Sequence, residues 1–287
     1  MAGSNGVATL AELFARAKDL GIDKFRTLGK AELADAVHEA ETAASASRPK
    51  VRLDRDGALA TIVLDDRSTR NALTPAAMDE LDAHLDELER DETIRVVAVT
   101  GEGPLFCSGG AIREHDGLED GGRVLSDRGT ALLARLSALP VPVVALINGH
   151  ATGGGVELAL ACDIRVADPD AELRLVHAEL GIVPGWGGLG RLADLLGSGT
   201  ALMLVAGAAK LTSRRAAELG LVDDLVGWRE QEAFASTLTG IVEGTSRDAV
   251  TAAKRVLQTP RAERADAERE AFASVWPDRR VPEAARA

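Results

Sequence analysis

The sequence predicts an α/β fold in which short, buried strands alternate with helices. Val96–Thr100 and Val141–Ile147 are apolar runs rich in β-branched residues, which is typical of buried strands. Pro75–Arg90 places apolar residues on one face and acidic residues on the other, which indicates an amphipathic helix. Few long loops separate these segments, so the pattern favours repeated strand–strand–helix units.

The stretch from residue 140 to residue 167, PVPVVALINGHATGGGVELALACDIRVA, is the part around which the chain is organised. Gly153–Gly155 follow the strand and allow a ligand to approach the main chain closely. Val156–Cys162 then continues as a helix whose sequence predicts burial nearly all round. The N–H groups at such a helix start attract a negative oxygen, and Glu157 is placed to move protons beside it. The alternative is a structural glutamate favoured by the helix dipole.

A second glycine turn occurs at residues 104–112, PLFCSGGAI, just after the Val96–Thr100 strand. Two turns of this kind can each offer one backbone N–H group to the same substrate oxygen. The sequence therefore predicts an oxyanion hole with two donors.

The segments INGHATGGGVELALACDIRVA and FCSGGAI resemble the enoyl-CoA hydratase/isomerase (crotonase) superfamily, as do STRNALT and AELRLVHAELGIVPGWGGLGRLADLLG. The resemblance covers roughly Lys50 to Leu257, with matching motif order and spacing. It implies a crotonase-like ββα superhelix with a C-terminal helical region that packs in a homotrimer or a dimer of trimers. It also implies an acyl-CoA or carrier-bound acyl thioester as the substrate. Coenzyme A is then part of the substrate, and no permanently bound cofactor is expected.

The resemblance also assigns roles to single residues. The backbone amides of Gly110 and Gly154 are expected to hold the oxygen of a thioester enolate. Glu157 matches one of the two catalytic glutamates of the family's hydratases, and the position of the second holds His177. The expected contacts to substrate and coenzyme A are Arg70, Ala72, Leu73, Ser108, Ala111, Ile112, His115 and Trp186.

Two departures from the family pattern bear on the reaction. His177 can act as a general acid or base facing Glu157, or it can be a structural histidine in a catalytically altered paralogue. Ala111 replaces the aspartate of FCAGAD-type relatives and removes an anchor of the turn at 104–112. The leading prediction is a hydratase-like lyase. A decarboxylase or a carbon–carbon bond hydrolase is the enzyme alternative, and a binding protein acting through its N-terminal module is the other.

Composition argues against several other classes. The net charge of −12 disfavours nucleic acid or an anionic membrane as the main partner. The two cysteines, Cys107 and Cys162, show neither a metal-binding spacing nor a disulfide framework, so we expect no metal site and a reducing compartment. The N-terminus lacks the pattern of a signal peptide, and no apolar run is long enough to cross a bilayer. We therefore predict a cytoplasmic protein.

The sequence predicts three parts, with boundaries after residues 48 and 228. Residues 1–48 form a small helical appendage and linker, residues 49–228 the core, and residues 229–287 a C-terminal helical region in which Pro277 and Pro282 interrupt the closing helix.

The appendage contains two segments with helical spacing, Leu10–Leu20 and Lys30–Ala40, followed by a small, polar linker at Thr42–Pro49. It faintly resembles the helix–turn–helix module of Rho-type termination factors and SAP-like domains. Because its charges are balanced and no basic aromatic surface is visible, docking or packing is favoured over nucleic-acid binding.

Overall fold

The computed structural model describes residues 8–23, 25–115, 120–259 and 263–275. The chain divides into two compact units, residues 1–49 and residues 50–287. The three-part division of the sequence, with its boundary after residue 228, stays a prediction.

The first unit consists of two helices joined by a turn, α1 (Leu10–Asp19) and α2 (Lys30–Ser47). Thr9 caps α1 because its hydroxyl accepts the Glu12 N–H while the Glu12 carboxylate accepts the Thr9 N–H. The two helices share a small apolar core made of Leu13, Ala17, Leu33 and Val37. Both predicted helices are confirmed, but the predicted linker is not: the backbone of residues 42–47 continues α2, because alanine and serine there do not break a helix.

The second unit has two sheets flanked by helices. Its strands are β1 (Val51–Asp56), β2 (Leu59–Leu64), β3 (Val96–Gly101), β4 (Leu105–Cys107), β5 (Val143–Ile147), β6 (His150–Thr152), β7 (Ile164–Ala167), β8 (Glu172–Arg174), β9 (Lys210–Thr212) and β10 (Asp224–Leu225). Its helices are α3 (Pro75–Arg90), α4 (Gly121–Ala138), α5 (Gly154–Ala161), α6 (Gly188–Leu196), α7 (Ser198–Ala206), α8 (Ser213–Leu219), α9 (Gln231–Glu243), α10 (Arg247–Gln258) and α11 (Arg264–Val275).

The sheet order shows a repeating unit. The larger sheet runs β1-β2-β3-β5-β7-β10 and the smaller one β4-β6-β8-β9. Three successive units therefore each place one strand in the larger sheet, the next strand in the smaller sheet, and then a helix: β3-β4-α4, β5-β6-α5 and β7-β8-α6. The strands contributed by these units are parallel within each sheet. The predicted α/β class with ββα repeats is confirmed.

The main apolar core fills the space between the two sheets and the helices. Every residue of α5 is buried, as the sequence predicts for this helix. The opposite face of the larger sheet packs on α9 through Ala235 and Val242. The predicted break at Pro277 and Pro282 lies outside the described residues.

One predicted strand is shorter than expected. The sequence predicts a strand over Glu172–Val176, but β8 ends at Arg174 and residues 176–180 form a 3₁₀ turn that ends at Gly181 in the left-handed conformation. Glycine has no side-chain clash there, so it closes the turn at little cost. The turn, and not an extended strand, carries His177.

Candidate active site

The Gly153–Gly155 turn sets the first of the two expected amide donors. Gly153 precedes α5 with φ of 54°, a conformation that favours glycine. Gly154 is the first residue of α5, and N–H groups at a helix start have no acceptor within the helix. Gly155 packs so tightly on β4 that an added Cβ would meet the Cys107 carbonyl oxygen at 2.2 Å. The turn thus holds the Gly154 amide at a rigid position.

The second expected donor, Gly110, lies on the loop after β4. The Leu73 N–H donates to the Gly109 carbonyl at 2.9 Å, and the Ser108 N–H donates to the Arg70 carbonyl at 3.1 Å. These backbone bonds anchor the loop in a chain whose Ala111 cannot supply a carboxylate anchor. A Cβ on Gly109 would lie 3.1 Å from the Gly154 nitrogen, so the two glycine turns are in contact.

Among the described residues, both amides are available to bind a ligand oxygen. Within the part of the chain that the structure describes, no acceptor is found for the N–H of Gly110 or of Gly154. The structure therefore brings together the two groups that the sequence assigns to an oxyanion hole.

Glu157 is buried, with an exposure of 3%, and its carboxylate is held by three backbone N–H groups. The N–H groups of Trp186 and Gly188 donate to Oε2 at 2.8 and 3.0 Å, and that of Gly185 donates to Oε1 at 3.3 Å. His177 Nε2 lies 3.3 Å from Oε1. A carboxylate offers about four acceptor positions, so these partners occupy all of them.

His177 is the side chain that faces Glu157, at an exposure of 4%. Donation from His177 to this oxygen requires a hydrogen on Nε2, and we assign that tautomer because a carboxylate oxygen accepts. Nδ1 is buried and has no hydrogen-bond partner among the described residues. Glu179 is exposed and pairs with Arg174 at 2.7 Å. The pair at this site is therefore Glu157 with His177, as the sequence predicts.

The sequence analysis named Trp186 but missed that the backbone of segment 185–188 donates hydrogen bonds to Glu157. A Cβ on Gly188 would meet Glu157 Cγ at 2.5 Å, so only glycine brings this amide close enough to the carboxylate. Arg191 donates from Nη1 to the Trp186 carbonyl at 2.9 Å and fixes the orientation of this segment. Burial lowers the pKa of Arg191, and the negative charge of Glu157 opposes that effect. The glycines of the sequence PGWGG were the signal from which this element could have been predicted.

The residues expected to contact coenzyme A lie beside this site, on two neighbouring loops. Arg70 is exposed and has φ of 60°, and Ala72 is half-buried. Leu73 is 1% exposed, so it meets the site through its backbone and not through its side chain. Ser108 donates from Oγ to the Thr69 carbonyl at 2.9 Å.

The loop after Gly110 supplies three of the expected contacts. Ala111 is half-buried, and Ile112 exposes 39% of its surface. His115 ends a 3₁₀ turn, and its side chain is outside the described part. Trp186 is buried and contacts both Gly110 and Gly154.

The cysteines are unsuited to nucleophilic chemistry. Cys107 and Cys162 are buried, and burial raises the pKa of each thiol to about 12. The thiolate is the reactive form, so both groups are inert at neutral pH.

Two features are absent from the described residues. They contain no group of three or more His, Cys, Asp or Glu side chains arranged to hold a metal ion. Nor does any helix among them combine the length and apolar character that a membrane crossing requires.

Fold and site together bring two backbone amides, which have no acceptor among the described residues, beside a buried Glu–His pair, an arrangement that can stabilise a negative oxygen. Residues 54–277 match the family described as Enoyl-CoA hydratase/isomerase, and the chain belongs to that family. The crotonase resemblance is confirmed. Members of this family act on coenzyme A thioesters, so the predicted class of substrate agrees with the family.

Relatives within the family carry different names. Ethylmalonyl-CoA decarboxylase of Xenopus tropicalis is 35% identical over 230 residues, which is 77% of this chain and 77% of that protein. The protein named "Probable enoyl-CoA hydratase" of Bacillus subtilis (strain 168) is 40% identical over 154 residues, or 53% of this chain and 60% of that protein. The crystal structure of enoyl-CoA hydratase from Bacillus anthracis superposes with a TM-score of 0.74 at 32% identity, covering 79% of this chain and 90% of that chain.

Proposed function

We propose that this chain is a decarboxylase of α-carboxyacyl-CoA thioesters. The observation that carries the proposal is the Glu157 carboxylate, whose acceptor positions are all filled by protein partners. A base that activates water must accept a proton from it, and here that requires Glu157 to give up an existing hydrogen bond. Decarboxylation needs no activated water, because the bond to the leaving carboxylate breaks without removal of a proton by a base. Only the later protonation of the α-carbon then calls on Glu157.

The two amides perform the main work in this reaction. When the α-carbon loses CO₂, its electron pair moves into the thioester carbonyl and leaves an enolate oxygen. The N–H groups of Gly110 and Gly154 stabilise that oxygen, and a donor of this kind typically lowers the barrier by a few kcal/mol. The α-carbon then takes up one proton, which comes through the Glu157–His177 pair and is replaced from solvent.

Names of relatives support the same assignment. The relative from Xenopus tropicalis, which matches across most of both chains, is named a decarboxylase of ethylmalonyl-CoA. In this chain, the second glutamate expected of a hydratase is His177, so the arrangement of two carboxylates around a water molecule is missing.

Hydration of an enoyl-CoA is the second candidate, and it is the reaction that the sequence analysis favours. The names of two relatives, from Bacillus subtilis and Bacillus anthracis, support it. In this case Glu157 must release one backbone N–H and accept a proton from water, while His177 supplies the second proton-moving group.

Mass spectrometry in heavy water separates the two reactions. The purified protein is incubated with malonyl-type, enoyl- and β-ketoacyl-CoA thioesters. We expect loss of CO₂ from a malonyl-type ester, with one deuterium at the α-carbon. Addition of water to an enoyl ester, with no loss of CO₂, would replace this proposal by hydration. Cleavage between acyl carbons would identify a hydrolase, and no change in any thioester would favour a non-catalytic role.

We also propose that the chain forms a homotrimer or a dimer of trimers. Val183 and Met203 expose 68% and 72% of their surfaces, and Leu180 and Leu202 are also exposed. Several large apolar side chains left in water are typical of an interface. Native mass spectrometry should give three or six chains, and the Met203→Lys variant should shift the protein toward smaller species.

A further inference from the structure

Three glycines from three different elements surround the indole of Trp186. A Cβ on Gly110 would lie 2.8 Å from Cζ2, one on Gly154 would lie 2.3 Å from Cζ3, and one on Gly129 would lie 2.2 Å from Nε1. Real Cβ contacts are not this short, so any larger residue at these positions would force the ring to move. The ring therefore fills a space that only glycine leaves open.

Hydrogen bonds from α4 hold this residue in place. The indole Nε1–H donates to the Leu125 carbonyl at 3.1 Å. The preceding carbonyl, of Gly185, accepts from Ser126 Oγ at 2.6 Å and from Thr130 Oγ1 at 3.0 Å. With an exposure of 4%, Trp186 is a fixed wall.

The Trp186 ring lies next to the position at which we propose that the substrate binds. Its benzene edge lies against the same two glycines, Gly110 and Gly154, whose N–H groups are assigned to the thioester oxygen. An acyl chain that starts at this oxygen and runs along Gly110 and Gly154 meets the ring. Because the N–H of Trp186 also donates to Glu157, a chain that pushes the residue aside would disturb the proton-moving pair as well.

We propose that Trp186, held between Gly129 and the two oxyanion glycines, restricts this enzyme to short acyl chains. The inference rests on the proposed function, because it assumes that a thioester binds at Gly110 and Gly154. It adds the size of the acyl group, which the order and spacing of the motifs do not reveal.

Binding of saturated acyl-CoA esters tests the size limit without any reaction, since these esters have neither a carboxylate to lose nor a conjugated double bond to hydrate. Isothermal titration calorimetry compares butyryl-CoA with octanoyl-CoA. For wild type we expect octanoyl-CoA to bind no more tightly than butyryl-CoA. For Trp186→Leu we expect the affinity ratio of octanoyl- to butyryl-CoA to rise at least tenfold, since each newly buried methylene contributes about fourfold.

Trp228 provides the matched control for this substitution. It is the other tryptophan in the described part, is 58% exposed and stacks on Arg229. Trp228→Leu should leave the octanoyl-to-butyryl ratio at the wild-type value. The inference is overturned if Trp186→Leu unfolds cooperatively like wild type and keeps the wild-type ratio, or if wild type itself prefers octanoyl-CoA.

A second variant acts on the ring from the opposite side. Gly129→Ala should push the indole toward Gly110 and Gly154 and weaken butyryl-CoA binding at least tenfold. Gly122→Ala in the same helix should leave binding unchanged, because its Cβ would meet no atom within 4 Å. Equal affinities in the two variants contradict the inference. If wild type binds neither ester while remaining folded, the proposed thioester site itself is wrong, which is a different result.

Discussion

Two glycine-rich turns lie around Glu157, at residues 153–155 and 185–188, and they use their backbone N–H groups differently. In the turn at 153–155, the Gly154 N–H group has no acceptor within the described part of the chain. In the turn at 185–188, three N–H groups donate to the Glu157 carboxylate. One turn therefore leaves a donor without an acceptor among the described residues, where we propose that the substrate binds, and the other uses its donors to hold the side chain of Glu157.

This difference shows what the buried charge requires. An ionised carboxylate taken out of water is costly unless hydrogen bonds replace its hydration, and the turn at 185–188 supplies them. The same turn places the indole of Trp186 over the oxyanion glycines. The proposed acid–base chemistry and the proposed limit on the acyl chain therefore depend on one short segment.

Removing the charge of Glu157 should have the largest effect. In Glu157→Gln, the side-chain oxygen can still accept from Trp186 and Gly188. The new amide can donate to His177 Nε2 only after the ring hydrogen moves to Nδ1, and it leaves the Gly185 N–H unpaired. We expect turnover to fall by about 10²–10⁴, the range of general acid–base catalysis. The free energy of unfolding should fall by only about 1–3 kcal/mol for the unpaired donor.

Steady-state kinetics and urea unfolding measure these two quantities. Glu179→Gln is the control, because Glu179 lies in the neighbouring turn and its exposed ion pair with Arg174 contributes little. Near-native turnover in Glu157→Gln would show that the carboxylate is structural.

Replacing His177 by glutamine should have the next largest effect. The glutamine amide can still donate to Glu157, but it cannot take up and release a proton. We expect turnover to fall at least tenfold, toward the lower end of general acid–base effects, with the unfolding free energy close to wild type. His150→Gln is the control, since this exposed histidine only accepts the Glu172 N–H. Wild-type turnover in His177→Gln would assign His177 a structural role.

Local patterns made much of the fold and part of the site predictable. Buried β-branched runs predicted β3 and β5. Burial of a lone carboxylate is costly, so Glu157 in an otherwise apolar helix indicated a functional position. The glycines at 109–110 and 153–155 predicted the two amide donors, because glycine directly after a strand is typical of close backbone approach. Each of these signals lies within a few residues of sequence.

The remaining features depend on contacts between distant segments. Gly129 looks like an ordinary glycine within α4, and only the fold shows that it faces the Trp186 ring. The donors to Glu157 are backbone groups about 30 positions away, at residues 185, 186 and 188, and every residue type except proline carries such a group. Sequence alone therefore cannot say which N–H groups a buried carboxylate will receive.

Adding a methyl group at Gly188, in the turn at 185–188, should mainly affect stability. In Gly188→Ala the Cβ would overlap Glu157 Cγ at 2.5 Å, so the turn or the carboxylate must shift. We expect a loss of about 1–3 kcal/mol in unfolding free energy, as in other overpacked sites, together with lower turnover.

Gly190 is the matched control because it lies in the same helix, α6, and its Cβ would meet no atom within 4 Å. Gly190→Ala should stabilise the protein by about 0.5–1 kcal/mol, the difference between alanine and glycine within a helix. Equal effects of the two substitutions in urea unfolding would mean that Gly188 is not needed for the position of Glu157.

The smallest effect is expected at the two thiols. Burial raises the pKa of Cys107 and Cys162 from the usual 9.0 to about 12. Iodoacetamide at neutral pH should therefore label both thiols in the unfolded chain and neither in the native protein. The carbonyl of Cys107 packs on Gly155. A label on native Cys107 would therefore show that the contact between β4 and the turn at 153–155 opens.

The same pKa shifts predict a fall in stability at high pH. Because the folded pKa lies above the unfolded one, the contribution of each thiol is complete below pH 9.0 and is lost as the pH rises toward about 12. The double variant Cys107→Ala, Cys162→Ala should lose part of this alkaline dependence in urea unfolding, with turnover near wild type. An unchanged alkaline slope would mean that groups other than the two thiols cause it.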